Sequence, residues 1–281
     1  MTRRDFLRIS MRFTGTFAVV TTGGLGYSML VEPYMVDTER IEIPLQHLPL
    51  GFDGMTIVQI SDLHFGTWLT AEHMLGVVEK INALDVDIIV ITGDFVSGFD
   101  SEIEYDLVSS LSMLQAREGV YAILGNHDHW AGVEAVSDAI QNAGIRLLIN
   151  ESVLFERNYE RLYLAGLGDI WEDKQDLEGT LRDIPEDECV VMLVHEPDYA
   201  DYVAMTGRVD LQLSGHTHGG QVRMPFTGAN VLPALGRKYD MGLYSIDDLI
   251  LYVNRGLGMM KPAIRFRCTP EITHITLRSI V

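Results

Sequence analysis

Five short apolar runs, each followed at once by polar residues, constrain this chain more than any other feature. They occupy 55–60, 86–91, 120–124, 190–194 and 209–213. Each is too brief for a helix and rich in β-branched residues, which predicts strands buried on both faces. A helical pattern separates the first two. Thr70 fits an N-cap, and Met74, Leu75, Val78 and Ile81 recur at three- and four-residue steps behind it. Further helices are expected over 102–116, 132–143 and 174–183, with Gly144 placed to stop the middle one. Strand and helix in alternation predict an α/β core. The tail, 243–281, reads as hairpin material built from 249–254 and 271–277.

What ends each run carries the chemistry. The first ends in Ser61-Asp62-Leu63-His64, the second in Thr92-Gly93-Asp94, the third in Gly125-Asn126-His127-Asp128. The fourth ends in His195, and the fifth in Ser214-Gly215-His216-Thr217-His218. Open α/β sheets bind ligands beyond the carboxyl ends of their strands. One Asp-x-His or His-x-His alone is a weak signal, because either can be a hydrogen-bonded turn. Five in order, each capping a buried strand, point to a shared site. Carboxylates and imidazoles crowded there need partners to offset their desolvation, and a pair of divalent cations supplies them. Imidazole and carboxylate without thiolate suit zinc, manganese or iron rather than copper(I) or a cluster. Magnesium or calcium alone would be an odd match.

The chain has 281 residues, 47% of them apolar, enough for one large domain with a real core. Its 21 basic residues against 40 acidic ones give a net charge of −19. A body this acidic repels polyanions, so no nucleic acid is expected as a stable partner. Cys189 and Cys268 match no metal or redox spacing. The start differs from the rest: Arg3, Arg4, Arg8 and Arg12 precede an uncharged stretch from Phe13 to Val31. Thr2-Arg3-Arg4-Asp5-Phe6-Leu7-Arg8 resembles a twin-arginine export signal. That implies the twin-arginine export machinery as a partner and a body on the outer face of the bacterial cytoplasmic membrane. Residues 1–31 are therefore expected to be a signal or membrane anchor, cleaved or retained. Residues 32–50, with Pro33, Pro44 and Pro49, are expected to be an extended connector, and 51–281 the catalytic domain.

Taken together, Asp62-x-His64, Gly93-Asp94, Gly125-Asn126-His127-Asp128, His195 and Gly215-His216-Thr217-His218 resemble the signature of the calcineurin-like metallophosphoesterases. Gln59 through His64, Gly215 through Gln221, Arg255-Gly256-Leu257-Gly258 and Pro270-Glu271-Ile272 narrow the resemblance to exported bacterial phosphodiesterases of the YaeI/YkuE type. The resemblance implies a four-layer α/β/β/α sandwich and a pair of divalent cations. Asp62, His64 and His218 would hold the first cation, and Asn126, His195 and His216 the second, with Asp94 bridging. Such a pair clamps an in-line displacement at phosphorus. His127 would be the catalytic histidine beside them. Two positions depart from the family's protein phosphatases. Ser97 stands where an aspartate supports that histidine, and Gly98 where an arginine follows. Both count against protein-phosphatase activity and leave Asp128 as an alternative partner for His127. His47, His73 and His274 read as ordinary surface or hydrogen-bonded residues; His129 and Trp130 are candidates to line the site.

Residues 221–270 hold seven basic groups, Arg223, Arg237, Lys238, Arg255, Lys261, Arg265 and Arg267, against Asp240, Asp247 and Asp248. Met224-Pro225-Phe226 and Leu257-Gly258-Met259-Met260 lie among them. Basic and apolar groups together suit a membrane surface or a lipid headgroup. The opposing expectation is that the arginines form internal salt bridges and the methionines pack inside. The function expected is a two-metal phosphodiesterase whose phosphoester substrate is lipid-like or comes from the envelope. The alternatives are cleavage of the pyrophosphate bond in a nucleotide-linked acylated sugar, or a metal-binding scaffold without turnover.

Overall fold

The structure is a computed structural model that describes residues 23–172 and 174–280. The arginine-rich part of the expected export signal lies outside the described residues. Among those described, residues 23–30 are helical, and no helix is long and apolar enough to cross a membrane.

In chain order the strands are β1 (Asp37–Leu45), β2 (Thr56–Ile60), β3 (Ile88–Thr92), β4 (Val120–Ile123), β5 (Arg146–Leu147), β6 (Glu151–Arg157) and β7 (Glu160–Gly166). They continue as β8 (Cys189–Leu193), β9 (Leu211–Ser214), β10 (Arg223–Met224), β11 (Gly228–Ala229), β12 (Gly242–Ile246), β13 (Leu249–Val253) and β14 (Glu271–Ser279). After the helix at 23–30, the α-helices are α1 (Ala71–Asn82), α2 (Ser101–Leu111), α3 (Asn126–Asn142), α4 (Leu177–Leu181) and α5 (Ala200–Ala204). One sheet runs β1-β14-β2-β3-β4-β5, the other β12-β13-β9-β8-β7-β6. Strands β2 to β5 are parallel in the first, and β7, β8, β9 and β13 in the second.

The apolar runs are continuous because both faces of each strand are covered. Successive side chains alternate between faces. On β2 and β3, Val58, Ile60, Ile89 and Ile91 pack under α1, α2 and α3, while Ile57, Ile88 and Val90 meet the other sheet. On β8, Val191 and Leu193 join that inter-sheet core, and Val190 and Met192 pack with Leu181 and Val203 on the far side. Each such burial contributes about 1.5–3 kcal/mol. The result is helix, sheet, sheet, helix. Thr70 caps α1, accepting the His73 N–H at 3.3 Å.

Three expectations need correction. Residues 37–45 are not a connector: they form an edge strand, parallel to β14, with Ile43 and Leu45 buried between the sheets. Pro44 is tolerated there because an edge strand spares one row of N–H groups. The two tail runs do not pair with each other. β13 makes its hairpin with β12, whereas β14 inserts between β1 and β2 in the other sheet. Ile272 faces the helices and Ile275 and Leu277 the inter-sheet core, a two-sided burial that suits an interior strand. Finally, α3 begins at Asn126 rather than 132, and Gly132 (φ 116°) marks a kink within it.

Candidate metal centre

The carboxyl ends of β2, β3 and β4 in one sheet and β8 and β9 in the other converge on one place. The loops that follow bring Asp62, His64, Asp94, Asn126, His195, His216 and His218 together, none more than 5% exposed. Five of these seven, Asp62, His64, Asp94, His216 and His218, have positive φ values of 50–70°. Non-glycine residues rarely adopt that backbone, and it is held only where the surroundings impose it. Glycines make the close approach possible: a Cβ on Gly215 would lie 2.4 Å from Asp62 Oδ2, and one on Gly125 2.3 Å from Asp94 Oδ1.

Two groups of three converge closely enough to hold an ion each: Asp62, His64 and His218, and Asp94, His195 and His216. In the first, His64 Nε2 and His218 Nε2 face each other at 3.0 Å, with Asp62 Oδ1 3.4 Å from the latter. In the second, His216 Nδ1 faces His195 Nε2 at 3.2 Å. Asp94 Oδ2 stands between the groups, 3.5 Å from His64 Nε2 and 3.3 Å from His195 Nε2. The Oδ1 of Asn126 is buried, without a hydrogen-bond partner.

The outer nitrogens fix the tautomers. His195 Nδ1–H donates to the Thr92 carbonyl at 2.7 Å, and His216 Nε2–H donates to the Ala234 carbonyl at 2.8 Å. A carbonyl only accepts, so in the neutral rings the facing atoms, His195 Nε2 and His216 Nδ1, are both bare lone pairs. Two lone pairs at that distance need positive charge between them: either a proton on His195 or a cation. Without cations the site uses protons. Burial raises the Asp62 carboxyl to about 7, helped by the neighbouring Asp94 charge. Burial acts the same way on Asp94, but His195 outweighs it and holds that carboxyl well below its usual range. His195 is raised despite burial, by Asp94 and Asp62. Burial lowers His64 to about 4 and His216 to about 3, keeping them neutral. The donor set fits divalent cations.

His127 lies on the first turn of α3. Its backbone N–H donates to Asp94 Oδ1 at 2.9 Å, and its ring meets His64 edge-on at 4.8 Å and Trp130 at 4.6 Å. Asp128 serves elsewhere. It accepts the N–H groups of Phe95, Val96 and Gly125, tying the loop after β3 to the start of α3. Ser97 has a role that its type did not suggest: its Oγ lies 2.7 Å from His64 Nδ1.

A cavity of about 520 Å³ opens beside these converging residues. Trp130 and Trp171 form one wall, in edge-to-face contact with each other. Val222, Met224, Val231 and Leu232 form another, and Lys261 is the cation among the lining residues described. His129 is not among them. Trp171 follows β7, an apolar run with a polar end like the other five, and that signal could have revealed it. Most of the expected basic patch is used internally. Arg223 pairs with Asp240, Lys238 with Asp201 and Arg255 with Glu271, while buried Arg265 donates to four backbone carbonyls. Leu257 and Met259 are buried, whereas Met224 and Phe226 are exposed. Among the other histidines, His47 contacts Asp210 and His73 stacks on Trp68.

Comparison with known proteins gives the same picture. The family model described as calcineurin-like phosphoesterase matches residues 55–220. The chain is 37% identical over 286 residues to the uncharacterized metallophosphoesterase YkuE of Bacillus subtilis, covering 99% of this chain and 98% of that one. It is 29% identical to the phosphodiesterase YaeI of Escherichia coli, covering 99% of each. A solved Thermus thermophilus sulfate thiohydrolase, SoxB, shares the fold at TM-score 0.52 and 12% identity, over 82% of this chain and 57% of that one. With every converging side chain inside the matched segment and relatives aligned end to end, the chain belongs to the calcineurin-like phosphoesterases.

Proposed function

We propose that the chain is a two-metal phosphodiesterase acting on an amphiphilic phosphodiester of lipid or envelope origin. The observation that carries the metal reading is the pair of lone pairs, His195 Nε2 and His216 Nδ1, facing each other at 3.2 Å with both outer nitrogens committed to carbonyls. Asp62, His64 and His218 would hold one cation and Asn126, His195 and His216 the other, with the Asp94 carboxylate within reach of both groups. Zinc, manganese or iron bound there supplies positive charge at the phosphoryl group and acidifies water.

The rest follows from the chain's own residues. Ser97 orients His64, and the carbonyls of Thr92 and Ala234 orient His195 and His216. His127, kept neutral chiefly by burial, offers a ring N–H toward a phosphoryl or leaving-group oxygen. A diester fits better than a dianionic monoester: no arginine lines the described cavity, and Gly98 supplies none. The apolar walls suit an acyl or other greasy substituent, and the name of the relative YaeI supports the diester.

The test begins with protein stripped by a chelator and reloaded with manganese, zinc or iron separately. At least one metal is expected to restore hydrolysis of bis(p-nitrophenyl) phosphate, in excess of p-nitrophenyl phosphate. Silence with all three favours a scaffold. Release of uridine monophosphate from a nucleotide-linked acylated sugar, with no diester turnover, favours pyrophosphate cleavage. Removing the partner of a metal-binding histidine costs about 10–100-fold in metal affinity or activity. Ser97→Ala is therefore expected to weaken metal binding by that factor in a metal titration, with little change in melting temperature.

A further inference from the structure

Phe226 is fully exposed at the tip of the β10–β11 hairpin. Val231, 80% exposed, and Met224, two residues before Phe226, line the cavity. Phe266 binds the foot of this hairpin: its N–H donates to the Gln221 carbonyl, and its carbonyl accepts the Arg223 N–H, each at 2.9 Å. From the opposite edge of the same segment, the Arg265 N–H donates to the Ser28 carbonyl at 3.0 Å. Successive N–H groups of an extended segment point to opposite edges. Hairpin, segment 265–267 and the helix at 23–30 therefore lie side by side.

That helix leaves Leu25, Met29 and Leu30 exposed, at the end of the uncharged stretch that starts at Phe13. Residues 23–31, 221–235 and 258–270 together contain four charged side chains, Arg223, Lys261, Arg265 and Arg267. All four are cationic, in a chain of net charge −19. Lys261 and Arg267 are exposed and make no ion pair among the described residues. Apolar side chains that insert and cations that hold an anionic layer are the two components of interfacial binding.

We propose that this face, around the mouth of the cavity, seats on an anionic lipid bilayer. Phe226, Met224 and Val231 enter the boundary between headgroups and acyl chains, and Lys261 and Arg267 lie among the headgroups. The inference deepens the amphiphilic-substrate reading and rests on it for one consequence only: a lipid drawn from the bilayer reaches the ligands without crossing water.

The experiment uses the full chain reconstituted with vesicles of phosphatidylglycerol and phosphatidylcholine that contain nitroxide-labelled lipid. A fluorophore is placed at Phe226→Cys or, as reference, at Tyr159→Cys. Tyr159 lies in the turn before β7, at the amino end of the parallel strands and away from the ligands. Quenching at 226 is expected to exceed that at 159 at least threefold, an order-of-magnitude threshold for interfacial burial. Lys261→Ala and Arg267→Ala are each expected to raise the anionic lipid needed for half-maximal quenching about fivefold. Equal quenching at both positions, or none at 226, overturns the proposal, including when the protein does not bind the vesicles. Diester hydrolysis is measured on the same samples. An inactive protein still quenched at 226 discards the catalytic reading and keeps the docking, and an active one unquenched does the reverse.

Discussion

Asp94→Asn is expected to silence the enzyme and empty its metal sites. The carboxylate is within reach of both triads, with Oδ2 3.5 Å from His64 Nε2 and 3.3 Å from His195 Nε2. The substitution keeps shape and removes charge, so the effect isolates electrostatics. Removing one partner of a buried charge pair costs about 3–5 kcal/mol. At 1.4 kcal/mol per tenfold, affinity for the cations falls by about three orders of magnitude, and turnover at limiting metal falls with it. Metal analysis should show less than one ion per chain, against the two expected in the parent. The metal-free protein tells the same story differently. There His195 is positively charged mainly because of Asp94, and the asparagine variant removes that larger share of its counter-charge, leaving Asp62. The imidazolium is then less stable, and a ring that gives up its proton restores two facing lone pairs, so the apo variant should melt below the apo parent. A variant that keeps both ions and turns over the diester within tenfold of the parent would remove Asp94 from its bridging place.

Much of this site is legible in the sequence, for a specific reason. A buried parallel strand is apolar at consecutive positions, so β2, β3, β4, β8 and β9 stand out, and the polar residues just beyond each mark the sheet edge. The sequence could not show that the runs divide between two sheets, three in one and two in the other. Strand β1 is hidden by its edge position: Asp37, Glu39, Arg40 and Glu42 leave only Ile41 and Ile43 apolar before Pro44, which reads as a breaker. By type alone Ser97 shows only what it lacks, a carboxylate for His127. Its contact with His64 depends on the loops after β2 and β3 lying side by side, where Phe65 N–H donates to the Phe95 carbonyl at 2.9 Å. Asp128 was adjacent to His127 in sequence and busy elsewhere in space. Adjacency on the first turn of a helix points neighbouring side chains about 100° apart, so it argues against contact.

His127→Ala is expected to separate chemistry from metal binding. The ring belongs to neither triad, and the backbone N–H that holds Asp94 Oδ1 survives any substitution except proline. Both ions should therefore remain, while turnover falls about 10²–10⁴-fold, the usual contribution of a positioned proton donor. The leaving group then decides what the ring does. If His127 delivers a proton to the departing oxygen, the loss is large for an alkyl ester, whose alkoxide cannot leave unaided. It is then small for a p-nitrophenyl ester, whose phenolate needs no proton. If the ring instead donates a hydrogen bond to the phosphoryl oxygens, both esters lose alike, and His127→Gln, which restores an N–H, recovers part of the rate for both. The burial that keeps the imidazole neutral favours this second role, because a neutral ring can donate without first being protonated. The expectation is therefore a loss of similar size for the two esters and partial recovery by glutamine. Loss of metal from the alanine variant would place His127 among the ligands instead, and a ratio of losses above about tenfold would return it to general-acid duty.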